Sequence, residues 1–418
     1  MVEGEMVKFN RLGILVLAGS LAIMMIAGAP RASATTRHHS RHRHSTAHYI
    51  VVTPRHAALL EDADTGRLLY YENPSLAWPP ASMAKMMMLL VAEDQIHAGH
   101  FSYNTPVTIS FHSATTGGSR LGLRQGQIYP LGELMKAALI RSANDAAVAV
   151  AETVGGSYDG CVRMMNAKAV SLGMTGTHYE TVDGLPPTPG HDVDVTNALD
   201  LATLARALIH TTNLLAWSGM ETALFDGGIA ILHNTNHLVG HLDGCDGLKT
   251  GFTMQAGFNL TATAKRGEMR LISVVLGTPS NWARFSQSAT LLNWGFDNFT
   301  KVELLKRGEP LPVHVQVTAG PLIQPISQNE VALVLRKDQV PSLRLAYSVP
   351  PVISGPVAPG TPLGQVTVME GSEVVARSDA ISPLSSPLPP VTLSPLANDA
   401  ATHSYNYTIA ARPLQETR

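Results

Sequence analysis

The order of elements readable in the sequence predicts an α+β region followed by a small all-β sandwich. Three observations carry this. Strand-like segments stand at both ends of residues 57–300, with helical segments between them. One of those helices, Ala81 to Ala98, is apolar on nearly every side, the mark of a buried central helix. From Lys301 the pattern changes to short alternating strands punctuated by turns. A chain of 418 residues has room for such an arrangement, at roughly 150 residues per domain.

The elements follow in order. Lys8 and Arg11 precede an uncharged stretch from Leu12 to Ala29, and Ala32-Ser33-Ala34 supplies small residues at a cleavage position. Residues 1–34 therefore read as a secretory signal peptide, which places the mature chain in the periplasm or cell envelope. Left uncleaved, the segment would anchor the chain in a membrane. Residues 35–56 form a His/Arg-rich lead with His38, His39, His42, His44, His48 and His56. Such a tract can bind divalent metals, but its spacing lacks the fixed pattern of a structural zinc site and it reads first as a solvated linker. Ala57 to Leu60, Asp64-Thr65-Gly66 and Leu68 to Tyr71 read as strand, turn and strand. Pro79-Pro80 ends extended structure and opens the apolar helix. Further helices are expected at Leu131 to Val154, Cys161 to Leu172 and Thr196 to Thr211. Asn259 to Ala264 and Leu271 to Leu276 read as paired strands. Short strands recur at Val302–Leu304, Val313–Val317, Val331–Leu335, Leu343–Tyr347 and Val366–Val368. The β-rich part spans 301–390, and 391–418 is expected to be a poorly ordered tail.

Composition narrows the function. With 30 basic and 32 acidic side chains there is no basic excess, which argues against nucleic-acid binding. Two cysteines, Cys161 and Cys245, exclude a disulfide-dense scaffold and an all-cysteine zinc site, and allow one disulfide without implying it.

Three short motifs carry chemistry. Ser82 lies three residues before Lys85 on the apolar helix, and at 100° per residue the two side chains sit about 60° apart, one turn apart on one face. Burial or a second cation would lower the lysine pKa and free it to take the serine proton. Ser142-Ala143-Asn144 is weak alone, since Ser and Asn are favoured helix N-caps. Lys249-Thr250-Gly251 follows Asp246-Gly247-Leu248. A cation, a hydroxyl and a glycine on an edge strand suit an anionic substrate drawn close to the backbone; read alone, the tripeptide is a surface turn.

Together the motifs stand in the order found in penicillin-binding proteins and class A β-lactamases. Their surroundings are closer still to one family. Leu60 to Gly66, Pro79 to Lys85, Gly117-Gly118-Ser119-Arg120, Ser142 to Glu152, Leu172-Gly173-Met174 and Asp246 to Leu260 resemble serine-type D-Ala-D-Ala carboxypeptidases, the low-molecular-mass penicillin-binding proteins. The likeness covers 57–300, and 301–390 resembles the second domain of such enzymes. It implies a β-lactamase/transpeptidase-like domain, an antiparallel sheet flanked by helices. It also implies a peptidoglycan pentapeptide as substrate, β-lactam antibiotics as covalent inhibitors, and no metal or organic cofactor. Ser82 would be the nucleophile, Lys85 its base and Ser142 a proton relay. Asn144 would hold the substrate amide, and the N–H groups of Ser82 and Phe252 would form the oxyanion hole. Lys249, Thr250 and Gly251 would border the substrate's terminal carboxylate. Arg284 is a candidate for the same carboxylate from its place before Leu291-Leu292-Asn293-Trp294-Gly295-Phe296; from the residues alone it reads as an exposed helix arginine. Family members often end in an amphipathic membrane-binding helix. Residues 391–418 show no apolar face and carry Pro395 and Pro413, so no such anchor is expected. The loop from Pro186 to Asp194 departs from the family, and no role is given to His191.

Three rivals use related residues. A β-lactamase needs a glutamate for deacylation. Glu152, Glu180 and Glu221 lie between Asn144 and Lys249, and none stands in a Glu-x-x-Leu-Asn arrangement. A D,D-endopeptidase would use the same site on peptidoglycan cross-links. A non-enzymatic wall-binding module would need a missing catalytic residue, and none is missing.

Overall fold

A computed structural model describes residues 55–186 and 192–383, and the backbone of 405–408. The expected signal segment, most of the His/Arg-rich lead and His191 lie outside the described residues. Among the described residues no helix is long and apolar enough to cross a membrane, and no cluster of His, Cys, Asp or Glu is placed to hold a metal.

The hairpin β1 (Ala57–Asp62) and β2 (Leu68–Glu72) comes first. A 3₁₀ turn, Ala81–Met83, leads into α1 (Ala84–His97). Next come β3 (Pro106–Thr108), α2 (Phe111–Thr115), β4 (Ile128–Pro130), α3 (Leu131–Ile140) and α4 (Asn144–Val154). They are followed by α5 (Tyr158–Ser171), α6 (Ala198–Thr211), α7 (Leu215–Ser218) and the hairpin β5 (Thr222–Phe225) and β6 (Ala230–His233). Three long strands, β7 (Cys245–Thr253), β8 (Gly257–Arg266) and β9 (Met269–Thr278), precede α8 (Asn281–Asn298).

The central sheet is antiparallel throughout, in the order β2-β1-β9-β8-β7, so β7 is an edge. Alternation along β1 sends Ala57 and Leu59 into one core with Leu248, Ile272 and Val274. Ala58 and Leu60 enter a second core with Leu260, Leu271 and Val275. Residues of α1, α3, α4, α5 and α6 close the first core; Phe285, Leu291, Leu292 and Phe296 of α8 close the second. Helices cover both faces, so the interior strands are buried on both sides, and β8 buries Asn259, Thr261 and Thr263 on one of them. Cys161 and Cys245 are buried free thiols, one in each core.

The apolar helix is buried along Ala84–Glu93, with helices packed around it. Its start differs from expectation, because Ser82 sits in the 3₁₀ turn after Ala81, whose φ is +50°. The expected helix over Leu131 to Val154 is two helices. The break falls at Arg141–Ala143, where Ser142 takes φ +62°. Helix α5 starts three residues earlier than expected because Ser157 caps it, accepting from the Gly160 N–H. His56, assigned to the linker, is stacked on Trp78 at 4.0 Å, and its N–H donates to Leu276.

The β-rich part begins with β10 (Phe299–Leu305), β11 (Val315–Val317), β12 (Leu322–Ile323), β13 (Ile326–Ser327) and β14 (Val331–Arg336). It continues through β15 (Leu343–Ser348), β16 (Val352–Ile353), β17 (Pro362–Glu370), β18 (Glu373–Ile381) and β19 (Tyr405–Thr408). The largest sheet runs β13-β18-β17-β15-β19 and encloses a core of its own around Leu343, Val366 and Val368. Tyr405–Thr408 adds to the edge of β15 by antiparallel pairing, and the rest of the expected tail lies outside the described residues. Arg67 donates to the Val334 carbonyl at 2.6 Å and Lys301 pairs with Asp64 at 2.7 Å, which seats β10 and β14 against the first hairpin.

On β1 the Glu61 side chain is buried and its Oε1 has no hydrogen-bond partner, with Arg206 3.6 Å away. Burial is the main reason its pKa is pushed up from 4.5 to about 7. A carboxyl that holds its proton more tightly when folded stabilises the fold at low pH. That contribution is lost as pH rises from about 4.5 to about 7, and amounts to roughly 3 kcal/mol at most. Glu61→Gln is expected to flatten this fall, read as a smaller change in melting temperature between pH 5 and pH 8. A slope equal to the wild type's would assign the pH dependence to other groups.

Candidate active site

The site forms where the 3₁₀ turn, the α3–α4 break and edge strand β7 meet. Lys85 is fully buried, and its Nζ donates to Ser82 Oγ at 3.0 Å and to the Asp183 carbonyl at 2.7 Å. Burial lowers its pKa from 10.5 to about 8, against the opposing pull of the Asp183, Asp194 and Asp145 carboxylates. A neutral amine is therefore accessible near physiological pH, one hydrogen bond from a serine hydroxyl.

Strand β7 approaches the serine turn closely because residue 251 is glycine. A Cβ there would lie 2.5 Å from the Pro80 carbonyl oxygen and 3.3 Å from Ala81. Next to it, Lys249 is also fully buried and donates to the Thr250 carbonyl at 3.1 Å. Its pKa lies well below the ordinary lysine range, chiefly from burial and then from the Lys85 and Arg284 cations. The Thr250 hydroxyl donates to Thr235 Oγ1 at 2.8 Å. Phe252 is half-exposed and stacked on Phe258 at 4.2 Å.

The third wall is the α3–α4 break. Ser142 is buried, in the left-handed conformation that makes the break, and does not cap α4. Asn144 donates its backbone N–H to Ser119 at 2.7 Å and its Nδ2 to Gly117 at 2.8 Å. Its Oδ1 is buried without a hydrogen-bond partner. Asp145, fully buried, accepts from the N–H groups of Leu121, Gly122 and Leu123, holding this loop over the break.

Of the two sequence readings of Arg284, carboxylate partner or exposed helix arginine, burial excludes the second. Its Nη1 donates to the Gly251 carbonyl at 3.0 Å and to that of Asn259 at 3.3 Å, and its Nη2 donates to Asn281. Rings of Phe258 and Phe285 lie 5.5 and 4.9 Å away. These contacts make it a brace on the strand that carries Lys249.

Sequence reasoning missed several members of the site. Asp183 supplies the carbonyl that steadies Lys85, and Gly184 packs its Cα against the serine turn. Thr235 joins Thr250, and Asp145 fixes the loop beside Asn144. A cavity of about 660 Å³ shares the Gly117 and Asp183 walls and extends past His112, Tyr158 and Arg163. Asp145 adjoins a motif already singled out; nothing local marks the others.

Comparison with known proteins agrees with this geometry. Residues 45–280 match the profile of the D-alanyl-D-alanine carboxypeptidase family. DacF, a D-alanyl-D-alanine carboxypeptidase of Bacillus subtilis, is 32% identical over 327 residues, covering 77% of this chain and 83% of that protein. DacA of Escherichia coli is 35% identical over 257 residues, 60% of this chain and 63% of that one. Penicillin binding protein 5 from Haemophilus influenzae superposes with a TM-score of 0.68 at 26% identity, covering 79% of this chain and 98% of that chain. A Listeria monocytogenes penicillin-binding protein in its ampicillin-bound form gives a TM-score of 0.54 at 31% identity, covering 58% and 97%. With three motifs converging on one cleft and a family profile spanning most of the first region, this chain belongs to the D-alanyl-D-alanine carboxypeptidase family.

Proposed function

We propose that the chain removes the terminal D-alanine from peptidoglycan stem peptides through an ester on Ser82. One observation carries the reading: Ser82 Oγ and the amine of Lys85 are 3.0 Å apart, with that amine held near pKa 8. Lys85 takes the serine proton as Oγ attacks the carbonyl of the penultimate residue. The N–H groups of Ser82 and Phe252 receive the charge that develops on that carbonyl oxygen. Ser142 passes a proton to the leaving amine, Asn144 holds the acyl-donor amide, and Lys249 and Thr250 meet the terminal carboxylate. Arg284 positions Gly251 and acts on the substrate through that strand. Water then cleaves the ester with no metal or organic cofactor in the scheme. A β-lactam, whose strained amide imitates the scissile bond, becomes a slowly released ester on the same serine.

The test is incubation with penicillin, digestion and mass spectrometry. The expected result is one adduct, on the peptide carrying Ser82, that persists for minutes or longer. An adduct elsewhere overturns the nucleophile. Rapid hydrolysis without a persistent ester points to a β-lactamase.

A further inference from the structure

Residues Asn234–Thr235–Asn236 form a strap between two walls of the cleft. The Asn236 side chain donates to the Gly247 carbonyl on β7 at 2.7 Å, and that of Asn234 donates to Ser218 and Met220 at 2.8 Å each. The Thr235 N–H donates to Ile140, the last residue of α3 and two before Ser142, at 3.1 Å. Amide hydrogen bonds thus hold this threonine between the serine break and the Lys249–Thr250 strand.

Its hydroxyl has a defined electronic direction. Thr250 Oγ1 donates to Thr235 Oγ1 at 2.8 Å, so the Thr250 proton is engaged there. The neighbouring acceptor for Thr235's own proton is the Ile140 carbonyl at 3.5 Å, the outer limit of a hydrogen bond. That proton is available to an oxygen entering the cleft. Thr235 is half-buried, whereas Thr250 is buried, so Thr235 is the more accessible hydroxyl of the pair.

We propose that Thr235 is a further substrate-binding residue, whose hydroxyl, aligned by Thr250, donates to the terminal carboxylate of the acyl donor and helps select substrates that end in a free acid. This rests on the carboxypeptidase reading and deepens it. Burial, together with Lys85 and Arg284, depresses the basicity of Lys249, the cation on the same strand. With the Thr250 proton given to Thr235, the pair presents one free O–H, that of Thr235, to one oxygen of the carboxylate.

The experiment compares wild type, Thr235→Val and Thr235→Ser on an N-acylated tripeptide ending in D-Ala-D-Ala, offered as the free acid and as the C-terminal amide. Valine keeps the shape and removes the donor; serine keeps the donor. The expected result is that Thr235→Val lowers the acid-to-amide ratio of kcat/KM about tenfold, the scale of one hydrogen bond to a charged group, and that Thr235→Ser restores it. Equal losses on both peptides would make Thr235 a structural strap alone and overturn the proposal. An unchanged ratio in the valine variant also overturns it. A wild-type enzyme that does not distinguish acid from amide has no terminal carboxylate to read. In that case the carboxypeptidase reading fails first, in favour of cleavage at internal bonds, and the role of Thr235 fails with it.

Discussion

Replacing Lys85 with alanine is expected to slow acylation of Ser82 by roughly 10²–10⁴-fold, the usual contribution of a positioned general base. The amine donates to Ser82 Oγ at 3.0 Å and is anchored on the Asp183 carbonyl at 2.7 Å, so its removal takes away the proton acceptor and leaves the serine in place. The pH profile separates this from simple misfolding. The base works unprotonated, so wild-type acylation should rise with pH and level off above the Lys85 pKa of about 8. In Lys85→Ala that limb should disappear. Stopped-flow labelling with a fluorescent penicillin between pH 6 and pH 10 measures both quantities. Near-normal acylation by the variant, or an unchanged limb, would remove Lys85 from the base role.

A single methyl group at Gly184 is expected to do comparable damage without touching a polar atom. Gly184 has φ +77°, and a Cβ built there would lie 1.9 Å from the Ala81 carbonyl oxygen and 2.8 Å from the Ser82 nitrogen. Those atoms are backbone and cannot swing aside as a side chain would. The collision must displace the serine turn or the 183–185 segment, and the latter carries the carbonyl that holds Lys85. A displacement of about 1 Å at a reacting centre costs on the order of 100-fold, and alanine at this φ adds roughly 1–2 kcal/mol of strain. Gly184→Ala should therefore acylate about 100-fold more slowly while still folding, which near-UV circular dichroism and a thermal melt would show. Wild-type rates in a folded variant would mean that the turn tolerates the shift and that the close approach is incidental.

Much of this protein was legible locally. The α1 helix is apolar all round because it is enclosed by other helices, and a helix's surroundings write themselves into its periodicity. In the central sheet β1, β8 and β9 were readable as apolar runs and β2 from the turn before it, while β7, whose Lys249-Thr250-Gly251 reads alone as a surface turn, was not. Ser82, Lys85, Ser142, Asn144, Lys249, Thr250 and Gly251 could be chosen because their order and neighbours match a known family; the structure sets Lys85 3.0 Å from Ser82 and Gly251 against the serine turn.

Other features depended on partners far along the chain. Arg141–Ala143 reads as helix because none of its residues forbids one. The break there accompanies an Asn144 amide bonded to Gly117 and Ser119, and an Asp145 carboxylate bonded to three N–H groups of the loop before α3. Arg284 reads as a surface charge; burial beneath Phe258 and Phe285 and the carbonyls of β7 and β8 make it a brace. Tyr405–Thr408 carries no strong pattern and becomes a strand because β15 offers it an open edge. Local sequence shows which segments are buried and where helices and strands recur, because both depend on periodicity, while the motifs are tied to one reaction by their resemblance to a known family. Only the tertiary structure decided the Ser142 break, the grip on Lys85, the tight fit at Gly184 and the Thr235–Thr250 pair, because backbone carbonyls, amides and hydroxyls that meet across long loops leave no local pattern.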